Sequence, residues 1–312
     1  MLKITDLTNS HDPVLVDEVN QAFGLEELAH SKDKVRIIDA TLGLGGHSIE
    51  FCKKGAEVLG IEIDDEFLEI AGERLKEACP LPDSVRKLYK VVKGNFKDID
   101  KIAKSEEFIP VDGIIFDLGV STSQLTSSIR GMTFSNPDSR LDMRLDRKNQ
   151  QVSASDLLNS LPQEHLSTIF SKVLNKGEAN RLSRQIIKYR QSLKFETVSD
   201  FLNVLRSAGF KKKSKLHFAT KPFLALRMAV NSELENLREA LPKALKILKK
   251  RGRLIVISFH SGEDSIVKSF GKSMKIKGEI ELINKKPIVP SRLEIINNPR
   301  SRSAKMRIME KI

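Results

Sequence analysis

Short apolar runs alternate with helix-length amphipathic stretches from Val35 onward. Val35 to Ala40 reads as a buried strand, followed by a glycine loop and a helix opening near His47. Val58 to Glu62 is a second strand, and the next helix carries Phe67, Leu68, Ala71 and Leu75 on one face. Leu88 to Val92 and Val111 to Leu118 supply two more strands. Strands separated by helix-length segments imply βαβ units and a parallel, doubly wound sheet.

The pattern changes near Leu125. Residues 126–150 have the Ser, Asn, Asp and Arg content of a loop. From Ser153 to about Gly209 the apolar spacing is helical throughout (Leu157, Leu158 and Leu161; Leu166, Ile169, Phe170 and Val173; Leu182, Ile186 and Ile187). Thr197 to Asp200 is a capping box that opens a further helix. Lys211 to Lys215 forms a basic loop, and a long helix is predicted from about Pro222 to Lys250. Arg253 to Phe259 then reads as a central strand, Glu263 to Lys275 as a helix, and Ile280–Leu282 and Lys305–Met309 as two edge strands. Four strands, an all-helical stretch and up to three more strands predict an α/β domain (1–128 and 214–312) with a helical domain inserted at 129–213.

The 312 residues are 40 % hydrophobic and 30 % charged, an ordinary globular composition. No run approaches the ~20 apolar residues of a membrane span, and the N-terminus lacks the apolar core of a signal peptide. Two cysteines and six scattered histidines offer neither a disulfide framework nor a metal cluster. The expectation is a soluble, cytoplasmic protein with no metal and no membrane contact. Charge adds a partner class. Residues 1–128 hold 15 Lys and Arg against 24 Asp and Glu, a net of −9; residues 129–312 hold 38 against 17, a net of +21. A basic half of that size points to a polyanion, and the low aromatic content (15 Phe, 2 Tyr, no Trp) disfavours a surface that stacks many bases.

The loop Asp39-Ala40-Thr41-Leu42-Gly43-Leu44-Gly45-Gly46-His47-Ser48 joins the first strand to the first helix, at the crevice where open α/β sheets bind ligands. Its glycines admit close backbone approach. Glu62, ending the second strand, can accept from both hydroxyls of a ribose, and Phe96 can cover an adenine face. Two adenosine cofactors fit, a nicotinamide dinucleotide and S-adenosylmethionine. Ser48 stands where the third glycine of G-x-G-x-x-G belongs, which argues against the dinucleotide. Asp39 suits an ammonium and sits badly beside a pyrophosphate, although it can also simply bind the loop. Asp117, at the end of the fourth strand, is the candidate acceptor or base for proton removal, or a cofactor ligand; the backbone carbonyls of Leu118 or Gly119 can instead serve as acceptor, with water taking the proton.

Several segments carry a closer resemblance. They are His11-Asp12-Pro13-Val14-Leu15 with Asp17-Glu18-Val19, the glycine loop, Val111 to Ser121 with Gln124-Leu125, and Leu141 to Asp146. Ser258-Phe259-His260-Ser261 and Asn298 to Lys305 complete the set. Together, in this order, they resemble the bacterial 16S ribosomal RNA cytosine-N4 methyltransferase family RsmH, formerly MraW. The resemblance implies a class I S-adenosylmethionine-dependent methyltransferase sheet with an inserted helical substrate-recognition domain. It implies S-adenosylmethionine contacts at Gly45, Gly46, His47, Glu62, Phe96, Asp117 and Gln124, with Glu62 in place of the family's aspartate. The partner it implies is 16S ribosomal RNA in the small subunit; a homodimer is compatible with it.

The substrate side departs more from the family. R-G-F-S-F becomes Arg130-Gly131-Met132-Thr133-Phe134, H-P-A-T-R becomes His217-Phe218-Ala219-Thr220-Lys221, and F-H-S-L-E-D-R becomes Phe259-His260-Ser261-Gly262-Glu263-Asp264-Ser265. Arg130, Arg144, Arg227, Lys211 to Lys213, Arg300 and Arg302 are the expected RNA-backbone contacts. Phe134 and Phe259 are candidates to stack the target base, and His260 and Ser261 to contact it. A buried histidine satisfied by a backbone group is the competing reading of His260. Two other functions stay open at this level: a methyltransferase relative that binds RNA without turnover, and a nicotinamide-dependent oxidoreductase.

Overall fold

The computed structural model describes residues 13–25, 34–80, 88–119, 124, 130–211 and 217–312. It divides into two compact units, Met1–Val120 with Leu234–Ile312, and Ser121–Glu233.

The first unit is built on a seven-stranded sheet. Its strands are β1 (Arg36–Asp39), β2 (Glu57–Glu62), β3 (Tyr89–Lys93), β4 (Val111–Asp117), β5 (Leu248–Ser258), β6 (Ile280–Leu282) and β7 (Lys305–Lys311). The spatial order is β3-β2-β1-β4-β5-β7-β6, and β7 alone runs against the others. β7 lies between β5 and β6, so of the two expected edge strands only Ile280–Leu282 is at an edge. Alternation along each strand divides the core between two faces. Ile38, Leu59, Ile61, Ile114, Phe116, Leu254 and Val256 face one layer, beneath α4 (Ile99–Ser105), α10 (Glu233–Ile247) and α11 (Ser261–Ile276). Ile37, Val58, Ile115, Ile255 and Ile257 face the other, beneath α1 (Val16–Phe23), α2 (Gly46–Lys53) and α3 (Asp65–Ala78). Strands covered on both faces explain why β2 and β4 read as continuous apolar runs in sequence. This is the expected class I methyltransferase sheet.

The order reverses between β1 and β4, so their carboxyl ends, Asp39 and Asp117, flank the switch point of the sheet. Parallel pairing of β4 with β5 brings Asp117 level with Ile257 and places Ser258 and Phe259 at the same end.

The second unit is helical: α5 (Ala154–Ser160), α6 (Gln163–Ser171), α7 (Lys176–Arg190), α8 (Val198–Ser207) and α9 (Thr220–Val230). Its starts are chemically marked. Ser153 with Asp156, and Thr197 with Asp200, form capping boxes, and Asn175 accepts from the Glu178 amide. Leu158, Leu166, Phe170, Leu182, Ile186, Phe201 and Leu205 are fully buried at its centre. The long helix expected over Pro222–Lys250 is two helices. The chain turns at Ser232, whose φ of 51° no α-helix accommodates, and α9 packs against α5 and α6. Helical structure therefore extends past residue 213 in this unit. A short α12 (Arg292–Asn297) precedes β7.

Candidate cofactor and active site

The glycine loop is held open by carboxylates at the strand ends. Gly45 takes φ 80° as the residue before α2, a conformation that a side chain would strain. Asp39, 2 % exposed, accepts from Ser48 Oγ at 2.7 Å and from the Thr41 amide at 3.3 Å. Burial pushes its carboxyl above the usual range, partly offset by His47 and the Ser48 bond. Of the two readings of Asp39, the loop contacts are therefore present. Glu62 does similar work from β2. Its Oε2 accepts from the Gly43 amide at 2.8 Å, and its Oε1 accepts from the amides of Ile63 at 2.9 Å and Asp64 at 3.0 Å. Burial nevertheless pushes this carboxyl up to about 7. Arg74 closes the far side, donating from Nη1 to the Leu44 carbonyl at 2.7 Å.

Asp117 enters the same end of the sheet. Its amide donates to Thr41 Oγ1 at 2.7 Å, locking strand end to loop. Its Oδ2 lies 3.7 Å from His47 Nε2. Asp117 Oδ1, both His47 ring nitrogens and Ser258 Oγ are buried with no hydrogen-bond partner among the described residues. Orphaned buried polar atoms are rare because each costs free energy on the order of 1–3 kcal/mol. Three of them, Asp117 Oδ1 and the two His47 nitrogens, belong to side chains that lie together at one end of the sheet and suit a ligand there. The His47 ring is 4 % exposed and stacks on Phe51 at 6.0 Å, which fixes its plane. Phe96 follows β3 on a single 3-10 turn, half-buried and edge-on to Phe116 at 5.6 Å. Gly119, at φ 117°, has the Phe259 ring 3.4 Å from where its Cβ would stand.

These groups fit S-adenosylmethionine. Glu62 and Phe96 offer a ribose acceptor and an apolar edge, and Asp117 with Asp39 offers acidic partners for an ammonium. Gln124 is buried, but Val120, Ser121 and Leu125 around it lie outside the described residues, as do His11, Asp12, Lys212 and Lys213. Thr41, Ser48, Ser258 and Arg74 were not singled out in sequence. Ser48 had left a signal there, as the residue that breaks the dinucleotide fingerprint, and Thr41 and Ser258 lie within segments that carry the resemblance.

His260 is a helix cap. Its Nδ1 accepts from the amides of Gly262 at 3.2 Å and Glu263 at 3.4 Å, which leaves the neutral ring's proton on Nε2, 3.1 Å from Glu263 Oε1. The backbone contacts of the competing reading are thus present at Nδ1, whereas Nε2 is buried with no hydrogen-bond partner among the described residues. Gly262 makes room for the ring, since a Cβ there would stand 3.1 Å from it. Ser261 is exposed as the first residue of α11.

Three of the expected RNA contacts are engaged inside the helical unit. Arg144 makes a two-pronged pair with Asp142, Nε to Oδ1 at 2.7 Å and Nη2 to Oδ2 at 2.8 Å. Arg227 pairs in the same way with Glu233 at 2.7 and 2.9 Å. Arg130 is 4 % exposed and donates to the Leu145 carbonyl at 3.4 Å. Lys211, Arg300 and Arg302 are exposed. Phe134 is half-buried, and one face lies against the His217 ring at 4.1 Å.

Ribosomal RNA small subunit methyltransferase H of Methylacidiphilum infernorum is 39 % identical over 320 residues, covering 99 % of this chain and 96 % of that one. The protein of the same name from Thermotoga neapolitana is 41 % identical over 310 residues, covering 97 % and 96 %. The MraW methylase family matches residues 8–312. That extent sets aside the oxidoreductase alternative: the chain belongs to the MraW methylase family.

Proposed function

We propose that this protein methylates the exocyclic N4 of a cytidine in 16S ribosomal RNA, with S-adenosylmethionine as donor, and that the helical unit recognises the RNA. The observation that carries the reading is the unpartnered Oδ1 of Asp117, buried at the switch point beside His47. When bound, the cofactor supplies a methyl group on a positively charged sulfur. Cytosine N4 is a poor nucleophile because its lone pair is delocalised into the ring. Asp117 Oδ1 accepts one N4–H, restoring electron density to nitrogen and orienting it. Methyl transfer to N4 would leave an extra proton there, which the Asp117 carboxylate would take and pass on to water. Thr41 fixes the Asp117 backbone, so the acceptor needs no reorganisation. The target base has to leave its stack to reach this depth.

The test uses labelled S-adenosylmethionine and small subunits that lack the modification, followed by digestion to nucleosides and mass spectrometry. Label in N4-methylcytidine is the expected result, and Asp117→Asn lowers kcat by about 10²–10⁴. Label in another nucleoside would replace the substrate assignment. No label, with cofactor bound, would favour the non-catalytic RNA binder.

A further inference from the structure

The lysine-rich segment between α8 and α9 carries an aromatic residue at each end. Phe210 precedes Lys211, and His217 and Phe218 follow Lys215. All three rings are half-buried. The Arg181 guanidinium lies 5.8 Å from the centre of the Phe210 ring, and that of Arg206 lies 5.9 Å from Phe218. The His217 ring is 4.1 Å from Phe134 at an interplanar angle of 11°, and 4.4 Å from Phe218 at 34°. The three rings form a short stack. Its base is anchored, because Phe134 meets buried Phe223 edge-on at 5.8 Å, and Phe223 packs on fully buried Phe201.

A stack that served only the core would be closed over by apolar neighbours. This one is half-open, and its surroundings are cationic. Exposed Arg206 lies beside it, and Lys211 and Lys221 are exposed and near it in sequence. Half-open rings interleaved with cations match single-stranded nucleic acid, in which bases stack on aromatic faces while phosphates meet Lys and Arg. The engaged state of Arg130, Arg144 and Arg227 strengthens the point, since those side chains hold the unit together and the exposed charge is elsewhere.

We propose that Phe218, His217 and Phe134, with Arg206 and Lys211, form a platform on which an unpaired base of the RNA substrate stacks. This rests on the reading of an RNA substrate given above. Stacking is indifferent to base identity, so the platform contributes affinity and register, and three rings suffice for one or two bases.

The test compares the full-length protein with Phe218→Leu, Phe218→Trp and Arg206→Gln. Two readouts are used: KM and kcat on unmodified small subunits, and binding to an unstructured RNA oligonucleotide by fluorescence anisotropy without cofactor. Phe218→Leu keeps the apolar volume and removes the ring. It should weaken both KM and oligonucleotide binding by about five- to a hundredfold, with kcat and S-adenosylmethionine affinity unchanged. Phe218→Trp should restore both. Arg206→Gln, at an exposed position, should weaken binding a fewfold and flatten its salt dependence. Wild-type KM and wild-type oligonucleotide binding in Phe218→Leu would overturn the platform and leave Phe218 a packing residue. A wild-type protein that binds the oligonucleotide but transfers no methyl group would count against the methylation reading alone.

Discussion

Glu62 stands where the resemblance puts an aspartate. One extra methylene lets its carboxylate reach back and accept from the Gly43 amide while also holding Ile63 and Asp64. The same group is the candidate ribose acceptor, and burial pushes it up to about 7. Ribose hydroxyls donate to the ionised form better than to the protonated one. Affinity for S-adenosylmethionine should therefore rise with pH, through a midpoint near 7, and Glu62→Gln should bind weakly and without that pH dependence. Isothermal titration calorimetry between about pH 6 and 8 measures both. The sign for folding is opposite. A carboxyl that holds its proton more tightly folded than unfolded stabilises the fold below its ordinary value of 4.5, and that contribution is lost as pH rises to about 7. At the same scale, the two-pronged pairs of Arg144 and Arg227 show why an arginine in a motif does not announce its partner: the guanidinium fits Asp142 and Glu233 as well as it fits a phosphate.

Helix α8 tests whether a cap read from sequence carries energy. Thr197 Oγ1 accepts from the Asp200 amide, while Asp200 Oδ2 accepts from the Thr197 amide and also from its hydroxyl. Asp200 Oδ1 also accepts from the Tyr189 hydroxyl at 2.8 Å, tying α7 to the start of α8. Thr197→Ala should cost about 1 kcal/mol of local stability, read as faster hydrogen exchange of α8 amides at unchanged cofactor affinity. That cap was legible because its chemistry is local, and so were the strands, whose apolar runs reflect burial on both faces. The break at Ser232 was not legible, since Asn231-Ser232 interrupts an apolar pattern that stays in helical phase on both sides. The place of β7 inside the sheet was not legible either, because Lys305, Arg307 and Lys311 give it an edge-like charge pattern. Arg307 is in fact neutralised by Asp264, Nε to Oδ1 at 2.7 Å. In the site, Asp39 and Asp117 stood out by position at strand ends. Thr41 and Ser258 did not, because a hydroxyl becomes informative only when its neighbours in space are known.

Charge divides less sharply between the two units than along the chain. Ser121–Glu233 holds 19 Lys and Arg against 9 Asp and Glu, whereas the sheet unit holds 34 against 32 and is nearly neutral. The basic excess is shared between the helical unit, at +10, and the Leu234–Ile312 part of the sheet unit, at +11, which offsets the acidic first part of that unit. Methylation of small subunits should therefore weaken by an order of magnitude or more between about 50 and 200 mM salt through counterion release. S-adenosylmethionine affinity should stay nearly level over the same range. Steady-state kinetics and calorimetry at matched salt separate the two, and parallel losses would refute the division. The pairing of β4 with β5 has a consequence for how the protein is made. The two strands are neighbours, yet roughly 130 residues lie between Asp117 and Leu248. At ~5–20 residues per second, β4 waits some 7 to 25 seconds on the ribosome with its outer edge unpaired. Closing so long a loop from a disordered chain is entropically slow. A helical insertion that folds during that interval shortens the loop, so the order of synthesis itself protects the strand on which Asp117 sits.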